Sequence, residues 1–268
     1  MELFFRQLGS GEPIIILHGL YGSADNWHSI GRELAADHSV FLVDQRNHGN
    51  SPHHREHNYD LLSNDLNTFM LKHNLHRSII IGHSMGGKTA LAFGLKYPER
   101  VIKMIVVDIS PLGYDSNNES PEATGHDRII RALQLINTDH IASREEADKQ
   151  LQQAISSPSI RQFLLKNLKR KPDGKFRWAF NIQALAENMP AIFAGIIHEN
   201  ETDPRSIPYF PLLFLKGELS GYIGPGDEEA IHHYFPWAEL VVIPGTGHWV
   251  HAEKPIAFLK AVQNYIKE

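Results

Sequence analysis

The stretch Ser78-Ile79-Ile80-Ile81-Gly82-His83-Ser84-Met85-Gly86-Gly87-Lys88-Thr89 satisfies two motifs that imply unrelated chemistries. As G-x-S-x-G, with Gly82, Ser84 and Gly86, it describes a buried strand that turns sharply into a helix and exposes Ser84 at the tip. As G-x-x-x-x-G-K-[ST], with Gly82, Gly87, Lys88 and Thr89, it describes a phosphate-cradling loop. The short apolar run Ile79 to Ile81 and the helical composition of Lys88 to Tyr97 fit both, so the decision rests with the rest of the chain.

Working outward, further apolar runs occur at Ile14 to Leu17, Val40 to Val43, Ile105 to Val107, Leu212 to Leu215 and Leu240 to Ile243. They lack period-two alternation, which is the pattern of parallel strands covered on both faces. Helical segments are expected at Asp227 to Tyr234 and Pro255 to Ile266. An α/β fold with a mostly parallel central sheet follows, and its alternation pauses between about Pro111 and Pro208. There, amphipathic stretches at His126 to Ile136, Arg144 to Ile155 and Ile160 to Leu168 predict helices without strands. That places a helical cap over 111–207, inserted in a core of 1–110 and 208–268. Lys171-Pro172-Asp173-Gly174 is a turn signal within it, and Ala191 to Ile197 is an apolar stretch suited to a pocket wall or a buried contact.

A chain of 268 residues that is 42% hydrophobic can bury a substantial core. Its net charge of -5 offers no general attraction for nucleic acid or anionic membrane. No cysteine is present, so disulfides, thiolate metal sites and cysteine nucleophiles are excluded. Neither a signal peptide nor a membrane span is legible in Met1 to Gly11, and the expectation is a cytoplasmic monomer or small homo-oligomer.

The phosphate-loop reading gains an acid for magnesium from Asp108, which follows Met104 to Val107. It leaves His18-Gly19, the segment Asp44 to Ser51 and Gly247-His248 unexplained. Serine-based acyl transfer uses them: it needs a hydroxyl, an imidazole, a carboxylate that orients the imidazole, and two backbone N–H groups for the oxyanion. Ser84 supplies the hydroxyl, and Met85 and Leu20 the N–H groups. His248 follows the last strand in a glycine-rich loop, which lifts it above the other members of a set of 17 histidines. In most proteins of this architecture the acid follows the penultimate strand, where Ser220 stands here. Asp108, at the end of the preceding strand, is the choice for the acid, with Glu218 and Asp227 in reserve.

Leu17-His18-Gly19, Gly82 to Gly87 and Gly247-His248-Trp249 together resemble the α/β-hydrolase superfamily over nearly the whole chain. Asp44 to Ser51, Val107 to Pro111 and His248 to Pro255 resemble a subgroup of small esterases similar to the bacterial esterase YbfF. The resemblance implies hydrolysis of short acyl esters and thioesters, with Ser84, Asp108 and His248 at the matching catalytic positions and no metal or cofactor. Carbon-carbon bond hydrolases and lyases share such triads and remain the alternative, ahead of a nucleotide hydrolase. Asp44 and Arg46 are expected to form a structural ion pair, and His53, His54 and His57, or His248 and His251, are expected to be scattered surface histidines rather than metal ligands. His83 is expected to pack beside the elbow. Tyr21, Tyr222 and Trp249 are candidate pocket walls. Arg177 and Trp178, with Arg177 and Asn181 on one helix face, are candidates to reach the substrate from above.

Overall fold

The computed structural model describes residues 1–114, 121–198 and 202–267. Each apolar run lies within a strand: β2 (Glu12–Leu17), β3 (His38–Val43), β4 (Ser78–His83), β5 (Val101–Val107), β8 (Leu212–Gly217) and β9 (Glu239–Ile243). With β1 (Phe5–Leu8) they form a seven-stranded sheet in the order β1-β3-β2-β4-β5-β8-β9. Only β1, paired to β3, is antiparallel. The sequence reading missed β1, which has four residues at the sheet edge and no apolar run.

The unbroken apolar runs have a simple cause. Ile15, Leu17, Ile80, Val106 and Phe214 pack beneath α2 (Tyr59–Lys72), α3 (Met85–Lys96) and α9 (Pro225–Tyr234). Their neighbours Ile14, Ile16, Ile79, Ile81, Ile105 and Val107 face the opposite side, under α1 (His28–Leu34) and α11 (Pro255–Lys267). Successive residues of a strand point to opposite faces, so a sheet covered on both must be apolar at every position. Each such side chain contributes about 1.5–3 kcal/mol over its exposed state.

Between β5 and β8 lie α4 (Pro121–Leu135), α5 (Arg144–Gln152), α6 (Pro158–Leu165), α7 (Ile182–Glu187) and α8 (Met189–Phe193), which form a second apolar cluster together with Leu20, Tyr21, Tyr59, Leu62 and Met85. The expectation of helices without strands is corrected here. Around the Lys171 to Gly174 turn, β6 (Leu168–Arg170) and β7 (Phe176–Trp178) form an antiparallel hairpin. The Ala191 to Ile197 stretch is divided: Ile192 ends up in this cluster and Ile197 in the core beneath the sheet. No helix among the described residues is long and apolar enough to cross a membrane.

Candidate active site

In an open parallel sheet, loops from the carboxyl ends of the strands converge on one edge. Here the loops after β2, β4, β5, β8 and β9 bring together Leu20, Ser84, Asp108, Ser220 and His248. Ser84 lies between β4 and α3 with φ of 53°, a left-handed conformation unusual for a residue with a side chain. Flanking glycines allow the turn. A Cβ on Gly82 would lie 2.2 Å from the Gly86 carbonyl oxygen, and one on Gly86 would lie 2.3 Å from that of Leu17. The Ser84 N–H donates to the Val107 carbonyl at 3.0 Å, and the Ser84 carbonyl accepts from Gly87 and Lys88. The elbow is thereby tied to both β5 and α3.

His248 places Nδ1 2.8 Å from Asp108 Oδ2. A carboxylate at Nδ1 keeps the proton there and leaves Nε2 as the basic nitrogen. Asp108 is fully buried with φ of 51°, and its Oδ1 accepts the Gly217 N–H at 2.8 Å. Its Oδ2 also accepts the hydroxyl proton of Ser220. The position that lacks an acid in the sequence therefore supplies a donor to the acid one strand away. The two reserves serve turns: exposed Glu218 accepts from Gly245 N–H, and Asp227 accepts from Gly224 N–H at the start of α9.

The imidazole is held on two sides. The Tyr222 ring stacks on it with centroids 3.8 Å apart, and the Tyr222 hydroxyl is hydrogen-bonded to His126 Nε2 at 3.0 Å. His83 Nε2 donates to the His248 carbonyl at 2.9 Å. Burial holds His83 well below the usual histidine pKa, reinforced by the neighbouring His248 and His251 rings. It packs beside the elbow, as expected.

Leu20 and Tyr21 follow β2 in a loop fixed by its neighbours. Tyr21 has φ of 60°; its N–H donates to His48 Nε2 at 3.2 Å and its carbonyl accepts from Asn167 Nδ2 at 2.7 Å. Among the described residues the Leu20 N–H has no hydrogen-bond acceptor. Met85 opens α3, so its N–H is also without a partner inside the helix.

Ser84, His248, Leu20, Tyr21, Tyr222 and Trp249 all line one cavity of about 420 Å³. Its far wall was not foreseen: Ile129 of α4 and Ile160, Phe163 and Leu164 of α6 descend from the β5–β8 segment, with Phe163 packed 5.3 Å from Trp249. The only trace of this in the sequence is the apolar face of those helices. Arg177 and Trp178 are not in the wall. Both sit on β7, where alternation points Arg177 to solvent and buries Trp178 against Phe180, and Asn181 caps α7 instead of sharing a helix face with Arg177.

One further expectation needs correction. Asp44 does not pair with Arg46: it accepts the backbone N–H groups of Ala24 and Asn50, while Arg46 Nε donates to Asp65 at 2.6 Å. Lys88, the residue that completed the phosphate-loop pattern, is buried and donates to the Phe193 and Ala194 carbonyls, with the Tyr114 ring 4.7 Å away. Burial brings its pKa down to about 7. Its donors are committed to the end of α8, and the Asp108 oxygens accept from Gly217 and Ser220 and face His248, so neither residue faces an open phosphate site.

The histidines considered as metal ligands are separately engaged, and His57 and His251 are buried where surface positions were expected. His57 contacts Asn47 and the Met85 sulfur, His54 Nδ1 accepts the Glu56 N–H, and His251 stacks on Trp27 with centroids 4.0 Å apart. Among the described residues no group of three or more His, Asp or Glu is placed to hold a metal ion.

Comparison with known proteins gives the arrangement its context. Residues 12–255 match the alpha/beta hydrolase fold family. The chain is 35% identical to the sn-1-specific diacylglycerol lipase ABHD11 of Mus musculus, covering 94% of this chain and 80% of that protein. It is 33% identical to esterase YbfF of Escherichia coli (strain K12), covering 97% and 94% of the two chains. A solved structure described as a marine microorganism esterase superposes with a TM-score of 0.93 at 47% identity, covering 98% of this chain and 99% of that one. The chain belongs to the α/β-hydrolase family and is a hydrolase of the esterase and lipase type.

Proposed function

We propose that this chain hydrolyses short to medium acyl esters or acyl thioesters through Ser84, His248 and Asp108. The observation that carries the reading is the 2.8 Å contact between His248 Nδ1 and Asp108 Oδ2, in a loop that lines the same cavity as Ser84. Residues 111–207 act as the cap over that cavity, and 1–110 with 208–268 as the core.

In this mechanism His248 Nε2 takes the proton of the Ser84 hydroxyl as Oγ attacks the carbonyl carbon. The N–H groups of Leu20 and Met85 receive the negative charge that develops on the carbonyl oxygen, each contributing about 3 kcal/mol to the transition state. Asp108 holds the imidazole and stabilises its charged form; Ser220 and Gly217 hold Asp108. Collapse returns the proton to the leaving alcohol or thiol. Water then repeats the sequence on the acyl enzyme.

Ester and thioester panels assayed with the wild-type protein and with Ser84→Ala test the reading. Hydrolysis by the wild type and its loss in the variant are expected; equal rates for the two proteins would exclude it.

A further inference from the structure

Ser84 borders two cavities of very different size. The large one has His248 in its wall; the other, about 20 Å³, is closed by Met85, Ile109, Tyr114, Ile192 and Phe193, and His248 is not part of it. A space of that size takes about one water-sized group. Its tyrosine hydroxyls are already committed: Tyr59 donates to the Ile192 carbonyl at 2.7 Å, and Tyr114 to the Tyr222 carbonyl at 3.1 Å. His126 and Tyr222 also border it, paired through Nε2 and the hydroxyl, so among the described residues it offers mostly apolar surface, with the unpartnered His126 Nδ1 as an open polar atom.

We infer that the small cavity seats the acyl substituent and the large cavity the leaving group, so that the preferred substrates are acetyl and propionyl esters of bulky, apolar alcohols. The inference rests on the serine-hydrolase reading above. Its direction comes from the proton path. As the Ser84 Oγ–carbon bond forms, His248 Nε2 takes the hydroxyl proton; as the carbon–oxygen bond to the leaving group breaks, that proton passes to the departing oxygen. The leaving oxygen must then lie on the His248 side, which is the large cavity. With the oxyanion directed at the Leu20 and Met85 N–H groups, the remaining substituent of the tetrahedral carbon points to the small cavity. Water then adds to the acyl-Ser84 carbon, gives its proton to His248 and on to Ser84 Oγ, and releases acetate or propionate.

A cavity that holds a methyl or ethyl group rejects longer chains, because a packed interior must distort to admit each extra methylene. The large cavity, lined by Ile129, Ile160, Phe163 and Trp249, has room for a ring system or a branched alcohol.

Two matched substrate series test this on the purified protein: 1-naphthyl esters from acetate to hexanoate, and acetates from methyl to 1-naphthyl. For the wild type, kcat/KM is expected to fall about tenfold or more for each methylene beyond propionyl, and to rise along the alcohol series. Ile192→Ala, which removes bulk from the small cavity, is expected to raise the hexanoate-to-acetate ratio by about tenfold or more while the order of the alcohols stays the same. Ile109→Val gives a smaller change in the same direction and guards against misfolding of the first variant. Faster hydrolysis of hexanoate than of acetate by the wild type, abolished by Ser84→Ala, would overturn the cavity assignment and leave the serine mechanism intact. Hydrolysis that survives Ser84→Ala would overturn the reading on which the assignment rests.

Discussion

Ser220 Oγ donates to Asp108 Oδ2, the same oxygen that faces His248 Nδ1. A hydroxyl thus occupies the end of β8 and a carboxylate the end of β5, and the two meet beside one imidazole. The carboxylate beside the imidazole therefore comes from the strand next to the one that Ser220 follows, and Ser220 donates to it.

This relation predicts that the acid can be placed at position 220 instead. Asp108→Ala is expected to lower kcat/KM about 10,000-fold, the scale on which losing the orienting carboxylate acts in such triads. Adding Ser220→Asp should recover about tenfold or more of that loss, because the new carboxylate starts from a side chain already adjacent to the same site. Steady-state kinetics on one ester decide it; a double variant no better than Asp108→Ala would show that position 220 cannot reach the imidazole.

Buried neutral histidines make the fold sensitive to acid. His57 and His251 are both buried, and each has its pKa pushed down to about 3, chiefly by burial, then by Arg46 for His57 and by His248 for His251. Below the ordinary value of 6.5 the unfolded chain takes up protons that the folded chain refuses. Stability from these two groups is complete above about pH 6.5 and declines as the pH falls toward 3, by up to about 1.4 kcal/mol per pH unit for each. Urea unfolding at pH 7.5, 6 and 5 should show that decline, and His251→Phe, which keeps an aromatic ring against Trp27, should make it shallower. An unfolding free energy unchanged from pH 7.5 to 5 would contradict the assignment.

The Arg46–Asp65 pair is buried, with Arg46 5% and Asp65 3% exposed. Asp65 also accepts from the Met1 ammonium at 3.0 Å, so Asp65→Ala strips a partner from two cations and is expected to destabilise the protein by about 3–5 kcal/mol, while Arg46→Met with Asp65→Leu recovers only the part that belongs to Arg46. Arg46 also anchors the segment that carries His48, whose ring receives the Tyr21 N–H, so Asp65→Ala should lower activity as well as stability. Chemical denaturation and ester hydrolysis on the same preparations test both parts. A loss below about 1 kcal/mol would place this pair with exposed ones.

What could be read in the chain follows from how local each signal is. The six apolar runs and the glycines around Ser84 are dictated by contacts within a few residues or by burial on both faces, and they are legible as pattern. β1 and the β6–β7 hairpin escaped because strands of three or four residues carry too little alternation to register. Arg177 and Trp178 were misplaced for that reason: a strand period sends Arg177 outward and Trp178 inward, where helical spacing would have set Arg177 and Asn181 on one face. Arg46 was assigned to its neighbour Asp44 although its partner lies 19 residues on, on α2. The link between Ser220 and Asp108 spans 112 residues, and no local pattern reports it.

The most direct test is to locate the covalent adduct formed with a fluorophosphonate by peptide mass mapping. Attachment to Ser84, lost in Ser84→Ala and strongly slowed at neutral pH in His248→Ala, is the predicted result. Modification of a different residue, or ester turnover by protein that forms no adduct at Ser84, would contradict the account.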